Sequence, residues 1–101
     1  MSGFGLVARF NIRPGREQEF DDVVADTLDG IREQEPGTLI YISHAVPGEP
    51  GVRVFYELYR DRADFEAHGS QEHVKRFFDA REELVESFTV EFLDVVDAKT
   101  P

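Results

Sequence analysis

The sequence predicts an α+β fold of the ferredoxin-like kind, β-α-β-β-α-β, with a four-stranded antiparallel sheet and its helices on one face. Two periodicities and their punctuation carry the prediction. Apolar residues alternate over 4–12, β-branched and aromatic runs recur at 38–44, 53–59 and 88–96, and helical stripes lie between them. Pro14-Gly15, Glu35-Pro36-Gly37 and the Pro/Gly-rich run 46–51 fall at the joins. A chain of 101 residues suits one domain, 1–101, with an ordered core from about 4 to 96.

The elements follow in order. Phe4, Leu6, Ala8, Phe10 and Ile12 alternate with Gly5, Val7, Arg9 and Asn11, the period of a strand, and Pro14-Gly15 ends it. Phe20, Val23, Val24, Leu28 and Ile31 then line one side of a helix, while Glu17, Glu19, Asp22, Asp26 and Asp29 point outward. Many of those acids sit in early turns, where the helix dipole favours them. A second strand spans Thr38 to His44, a loop Val46 to Gly51, and a third strand, Arg53 to Tyr59, returns antiparallel. Asp61, with Asp64 three residues on, caps a short helix that Gly69 separates from the next. Ser70 caps that next helix, whose stripe is Val74, Phe77, Phe78, the stem of Arg81, and Leu84 or Val85. Phe88 to Val96 is the last strand, and Asp97 to Pro101 a frayed tail.

Strand three reads Val54, Phe55, Tyr56, Leu58, Tyr59, and strand four reads Val90, Phe92, Leu93, Val95, Val96, apolar on both parities. The sheet face turned away from the helices therefore needs a cover. A second copy of the chain, packed sheet to sheet in a symmetric dimer, supplies it most simply.

Composition narrows the partners. A formal charge of -10 repels phosphate backbones and anionic lipid heads, so nucleic acid and membrane surfaces are poor partners. The absence of cysteine excludes disulfides, thiolate nucleophiles and Cys-based zinc sites, and fits a cytoplasmic protein. The start, MSGFGLVARFNIRPG, lacks the basic region and apolar run of a signal peptide. Dinucleotide, P-loop, nucleophile-elbow and HExxH signatures are all absent.

The chemistry-bearing residues cluster between Tyr56 and Phe78. His68 and His73 are five apart with Gly69 and Ser70 between them, so they do not share a helix face as a metal pair would, and no metal is expected. His73 reads as a solvated residue in the first turn of a helix. Two roles stay open for His68: a core histidine bonded to backbone, or a neutral imidazole acting as general base in an apolar pocket. Glu57, mid-strand, needs a partner. That partner is Arg9 or Arg53 if its role is structural, or a histidine if it is functional.

The run from strand one into Arg13-Pro14-Gly15-Arg16-Glu17, then Glu35-Pro36-Gly37, then Tyr56-Glu57-Leu58-Tyr59, Phe65-Glu66-Ala67-His68 and Ser70-Gln71-Glu72-His73-Val74-Lys75, resembles the antibiotic biosynthesis monooxygenase (ABM) domain family. The resemblance implies a homodimeric α+β barrel with a cavity between sheet and helices. It also implies oxidation of a small quinol-like or phenolic aromatic by dioxygen without a cofactor. It points to His68 as general base with Glu57 beside it, and to Tyr59, Phe78, Phe65 and Ala8 around the substrate. Ala8 and Phe78 stand near positions where the haem-degrading branch has asparagine and histidine, so haem is not expected as cofactor or substrate. Two alternatives belong to other classes: a non-catalytic small-metabolite-binding or stress-response domain, and an isomerase of a small phosphorylated metabolite. The isomerase requires a cation in the cavity, for which Arg9 and Arg53 are the candidates.

Overall fold

Seven elements make up the computed structural model, which describes residues 3–100: β1 (Phe4–Ile12), α1 (Glu17–Gln34), β2 (Thr38–Val46), β3 (Glu49–Tyr59), α2 (Arg62–Gly69), α3 (Glu72–Leu84) and β4 (Val85–Asp94). The last residue of the expected tail, Pro101, lies outside the described residues. The strands form one sheet in the order β2-β3-β1-β4, every neighbouring pair antiparallel. This is the α+β arrangement that the periodicities predict.

Register decides which side chains meet the helices, because residues directly opposite one another share a face. Phe4, Leu6 and Ala8 of β1 face Tyr59, Glu57 and Phe55 of β3. On the other side Leu6, Ala8 and Phe10 face Phe92, Val90 and Phe88 of β4. All of these project toward the helices. Phe10, Phe20, Phe55 and Phe77 form the aromatic centre of the core, with Phe10 edge-on to Phe55 at 5.2 Å and to Phe77 at 5.9 Å. Truncating one of these rings costs about 3–5 kcal/mol.

Four local expectations are corrected. The hairpin is tighter than a 46–51 loop: β2 runs to Val46, β3 starts at Glu49, and Gly48 turns at φ 83°. Pro50 is tolerated in β3 because pairing with β1 stops at Val52, so its missing N–H deprives no β1 partner. β4 begins at Val85 and ends at Asp94, earlier than 88–96. Its start is set by the pairing of Ile12 with Val85 and the bond from Arg13 N to Leu84 O at 2.9 Å, which leave no connecting residue after α3. Asp61 caps α2 by accepting from Asp64 N, but Ser70 does not cap α3. The Ser70 hydroxyl instead donates back to Ala67 O at 2.9 Å, and α3 starts from Gln71 without a side-chain cap.

The outer face of the sheet carries Val7, Ile40, Ile42, Tyr56, Leu58 and Leu93, by the same register. Residues 93–100 lie over Gly5 and Leu58 at one end, and Leu58 is buried. Ile42 remains 46% exposed.

Candidate functional site

The site is built from β3 upward. Glu57 and Tyr59 are two residues apart on one strand and so point the same way, into the space under α2. The Tyr59 hydroxyl donates to Glu57 Oε1 at 2.5 Å, and both residues are buried. Burial pushes the Glu57 carboxyl above its ordinary value, against the opposing pull of the Tyr59 bond and the nearby His68. Burial, with the adjacent Glu57, also pushes the Tyr59 phenol upward, so Tyr59 serves as a donor at neutral pH. Neither Arg9 nor Arg53 reaches Glu57. Arg9 holds Glu49 on the outer face and Arg53 holds Asp21 of α1 at 2.9 Å, which corrects the ion-pair expectation.

His68 ends α2 and turns its ring inward against Tyr59 and Tyr41, centroids 5.2 and 5.8 Å away. Its Nδ1 meets Glu35 Oε1 at 2.6 Å, and its Nε2 stands 3.9 Å from Glu57 Oε1. The second gap is too long for a hydrogen bond. It is wide enough for one hydroxyl or water oxygen to touch both groups.

Glu35, at the end of α1, is the hub. Its Oε1 accepts from His68 and from the Thr38 hydroxyl at 2.6 Å, while its Oε2 is bonded to His73 Nε2. Burial alone would raise its pKa, but the bonds from His68, Thr38 and His73 outweigh that and hold the carboxyl below its ordinary value. An ionised carboxylate only accepts. The network therefore assigns the His68 proton to Nδ1 and leaves the Nε2 lone pair toward Glu57 and the cavity.

His73 is buried at 4% exposure, which corrects the solvated reading. Its ring sits in a notch on α1 at Gly30, where an added Cβ would come 2.2 Å from His73 Cγ. Glu35 and His73 are the site residues that sequence reasoning missed. The signal for them was Gly30 itself, a residue that costs about 1 kcal/mol against alanine inside a helix unless something approaches closely.

A cavity of about 160 Å³ opens beside this network. Its sheet wall is Leu6, Ala8, Phe10, Tyr41, Glu57, Val90 and Phe92, and its helix wall is formed by α2 and α3. Of the sequence candidates, His68, Glu57, Phe65, Phe78 and Ala8 line it. Tyr59 does not: it stands fully buried behind the wall, bonded to Glu57 and packed against His68 and Phe65. Among the described residues Arg81 is the one arginine or lysine in the wall, its guanidinium carbon 4.5 Å from the Phe78 ring and 4.4 Å from the Phe88 ring. His44 lies on the outer face, its Nδ1 bonded to Val54 O. Among the described residues no three His, Asp or Glu side chains are arranged to hold a metal ion, and the Glu35 oxygens are taken by imidazoles and Thr38. Among the same residues no helix is long and apolar enough to cross a membrane.

The sequence pattern of the antibiotic biosynthesis monooxygenase family matches residues 3–80. A candidate antibiotic biosynthesis monooxygenase from Caulobacter crescentus is similar in structure, with a TM-score of 0.89 at 28% identity over 95% of this chain and 92% of that one. Another structure, described as an antibiotic biosynthesis monooxygenase, gives 0.84 at 26% identity over 93% of this chain and 99% of that one. Rv0793 from Mycobacterium tuberculosis shares the fold, with 0.89 at 23% identity over 98% of this chain and 100% of that one. No protein of curated function is similar enough to match.

Proposed function

Because the chain belongs to the antibiotic biosynthesis monooxygenase family, we propose that it is a monooxygenase that oxidises a small quinol-like or phenolic aromatic with dioxygen, using its own side chains as the only acid–base groups. The observation that carries this reading is the His68 imidazole, with Nδ1 tied to the Glu35 carboxylate and Nε2 turned to the cavity. A quinol hydroxyl in the gap between His68 Nε2 and Glu57 gives its proton to Nε2, and the imidazolium formed is stabilised by Glu35. The quinolate is a far better electron donor to dioxygen than the quinol. One oxygen atom ends in the ring and the other leaves as water, so quinol and dioxygen become hydroxyquinone and water with four electrons transferred. The apolar wall shields the anion and the reduced oxygen species from bulk water.

An apolar cavity of roughly 150 Å³ accommodates benzene, so about 160 Å³ favours a single-ring substrate over a polycyclic one. The functional unit in this reading is a homodimer. Val7, Ile42 and Tyr56 on the outer face give the sheet an apolar patch that a second sheet covers. Of the cations named for the isomerase alternative, neither Arg9 nor Arg53 lines the cavity, and the cation that does is Arg81.

The test is oxygen uptake with a panel of single-ring quinols, with His68→Ala in parallel. Wild type is expected to consume oxygen and form hydroxyquinone, and the variant to be slower by about 10²–10⁴-fold, the usual contribution of a general base. Equal activity in the variant removes His68 from the mechanism. Ligands that stabilise the fold without being converted favour a binding protein.

A further inference from the structure

We propose that Arg81 makes this cavity a receptor for an aromatic that carries a carboxylate, with the acid group held at the mouth and the phenolic end at His68 and Glu57. The proposal rests on the monooxygenase reading for the inner end of the ligand and adds the chemistry of the outer end. Every other arginine except the exposed Arg13 holds a carboxylate. Arg81 makes no salt bridge and no side-chain hydrogen bond among the described residues, in a chain with 21 acidic residues. Glu82 and Glu86 line the groove on its outer side, yet neither is paired with it.

The guanidinium is nonetheless held in place. The rings of Phe78 and Phe88 lie 4.5 and 4.4 Å from its central carbon, so two aromatic rings fix the group while its N–H donors remain uncommitted. A planar fork of donors fixed in this way matches a carboxylate bidentately and loses little rotamer freedom on binding. Partial burial also pushes the Arg81 pKa down, so an anion arriving there relieves a desolvated charge. Phe78 and Phe88 are 38% and 42% exposed, whereas Glu57 and His68 are buried, which places Arg81 at the mouth and the base at the floor. A neutral quinol uses only the floor. A quinol acid uses both ends and enters in one orientation.

The experiment compares 2,5-dihydroxybenzoate with its methyl ester, which share the quinol ring and differ by one negative charge. Anaerobic calorimetry gives binding, and an oxygen electrode gives turnover. Wild type is expected to bind the acid about tenfold more tightly than the ester, the scale of one charge-assisted pair. Arg81→Met brings acid binding down to the ester's level, and Arg81→Lys keeps part of the preference. Equal binding of acid and ester, binding of neither, or a preference that survives Arg81→Met overturns the proposal. Preferential binding of the acid without oxygen uptake upholds the anion site and defeats the oxygenase reading. Turnover of both with equal KM does the reverse.

Discussion

Glu35 and His68, 33 residues apart in the chain, meet at 2.6 Å, and that contact sets which nitrogen of His68 faces the cavity. In the monooxygenase reading, the carboxylate at the end of α1 serves the reaction as well as the fold. Its second oxygen, on His73, joins α3 to the same point.

Glu35→Gln is expected to reduce kcat more than it raises KM, because a neutral amide stabilises an imidazolium less than a carboxylate does. One amide nitrogen would also face an imidazole N–H, leaving a buried donor unmatched, at a cost of about 1–3 kcal/mol. Urea denaturation reads the second effect and oxygen uptake the first. Wild-type values in both would remove Glu35 from the network's centre.

The two buried glutamates give opposite pH slopes. Glu57 has its folded pKa above the 4.5 of a free glutamate, so the folded state holds its proton more tightly than the unfolded chain. Stability from this group is full below 4.5 and falls as pH rises through the raised value. The Tm advantage of Glu57→Gln over wild type should therefore widen from pH 4.5 upward. Glu35, held below 4.5, stabilises the fold above that pH and loses the contribution as pH falls through its lowered value. A flat difference between wild type and Glu57→Gln across the range contradicts the assignment.

Gly30→Ala should destabilise the protein even though alanine is the better helix former by about 1 kcal/mol, since its Cβ would come 2.2 Å from His73 Cγ. Adding His73→Ala removes the obstacle, so the double variant is expected to recover part of the loss. Thermal unfolding of the four proteins in the cycle gives the coupling. Additive effects would place the His73 ring elsewhere.

Ile42→Glu puts a charge into the outer sheet face, where Ile42 is 46% exposed. In the homodimer reading the variant is a monomer by light scattering at micromolar concentration while the wild type is a dimer. A wild type that is already monomeric ends that reading.

Strands and helices were legible because their signals are local. The alternation of β1 and the stripe Phe20, Val24, Ile31 each survive as the buried face. Element ends were less legible: the limits of β4 depend on pairing with Ile12, and a proline at position 50 reads as loop unless it is known that β1 stops opposite Val52. His68 and Glu57 could be singled out because charged or titratable groups amid apolar neighbours are conspicuous. Glu35 and His73 could not, since each looks like an ordinary surface residue until α1 and α3 are packed together and the two side chains meet out of solvent. Arg81 was read for its stem, and its free guanidinium emerges only beside Phe78 and Phe88.

The join between α3 and β4 has no spare residue, Leu84 ending one and Val85 beginning the other. Phe77, Phe78 and Arg81 on the helix and Val90 and Phe92 on the strand therefore belong to a single lever, pinned at its fulcrum by the Arg13 bond to Leu84. Such a joint has no loop in which to absorb a bulkier guest, and its strand arm is paired with β1 along its length. The opposite jaw, the eight-residue α2 with Phe65 and His68, is joined to its neighbours by turns at both ends. The wall beside Arg81 is thus built without slack, and the wall that carries His68 is the one bounded by turns.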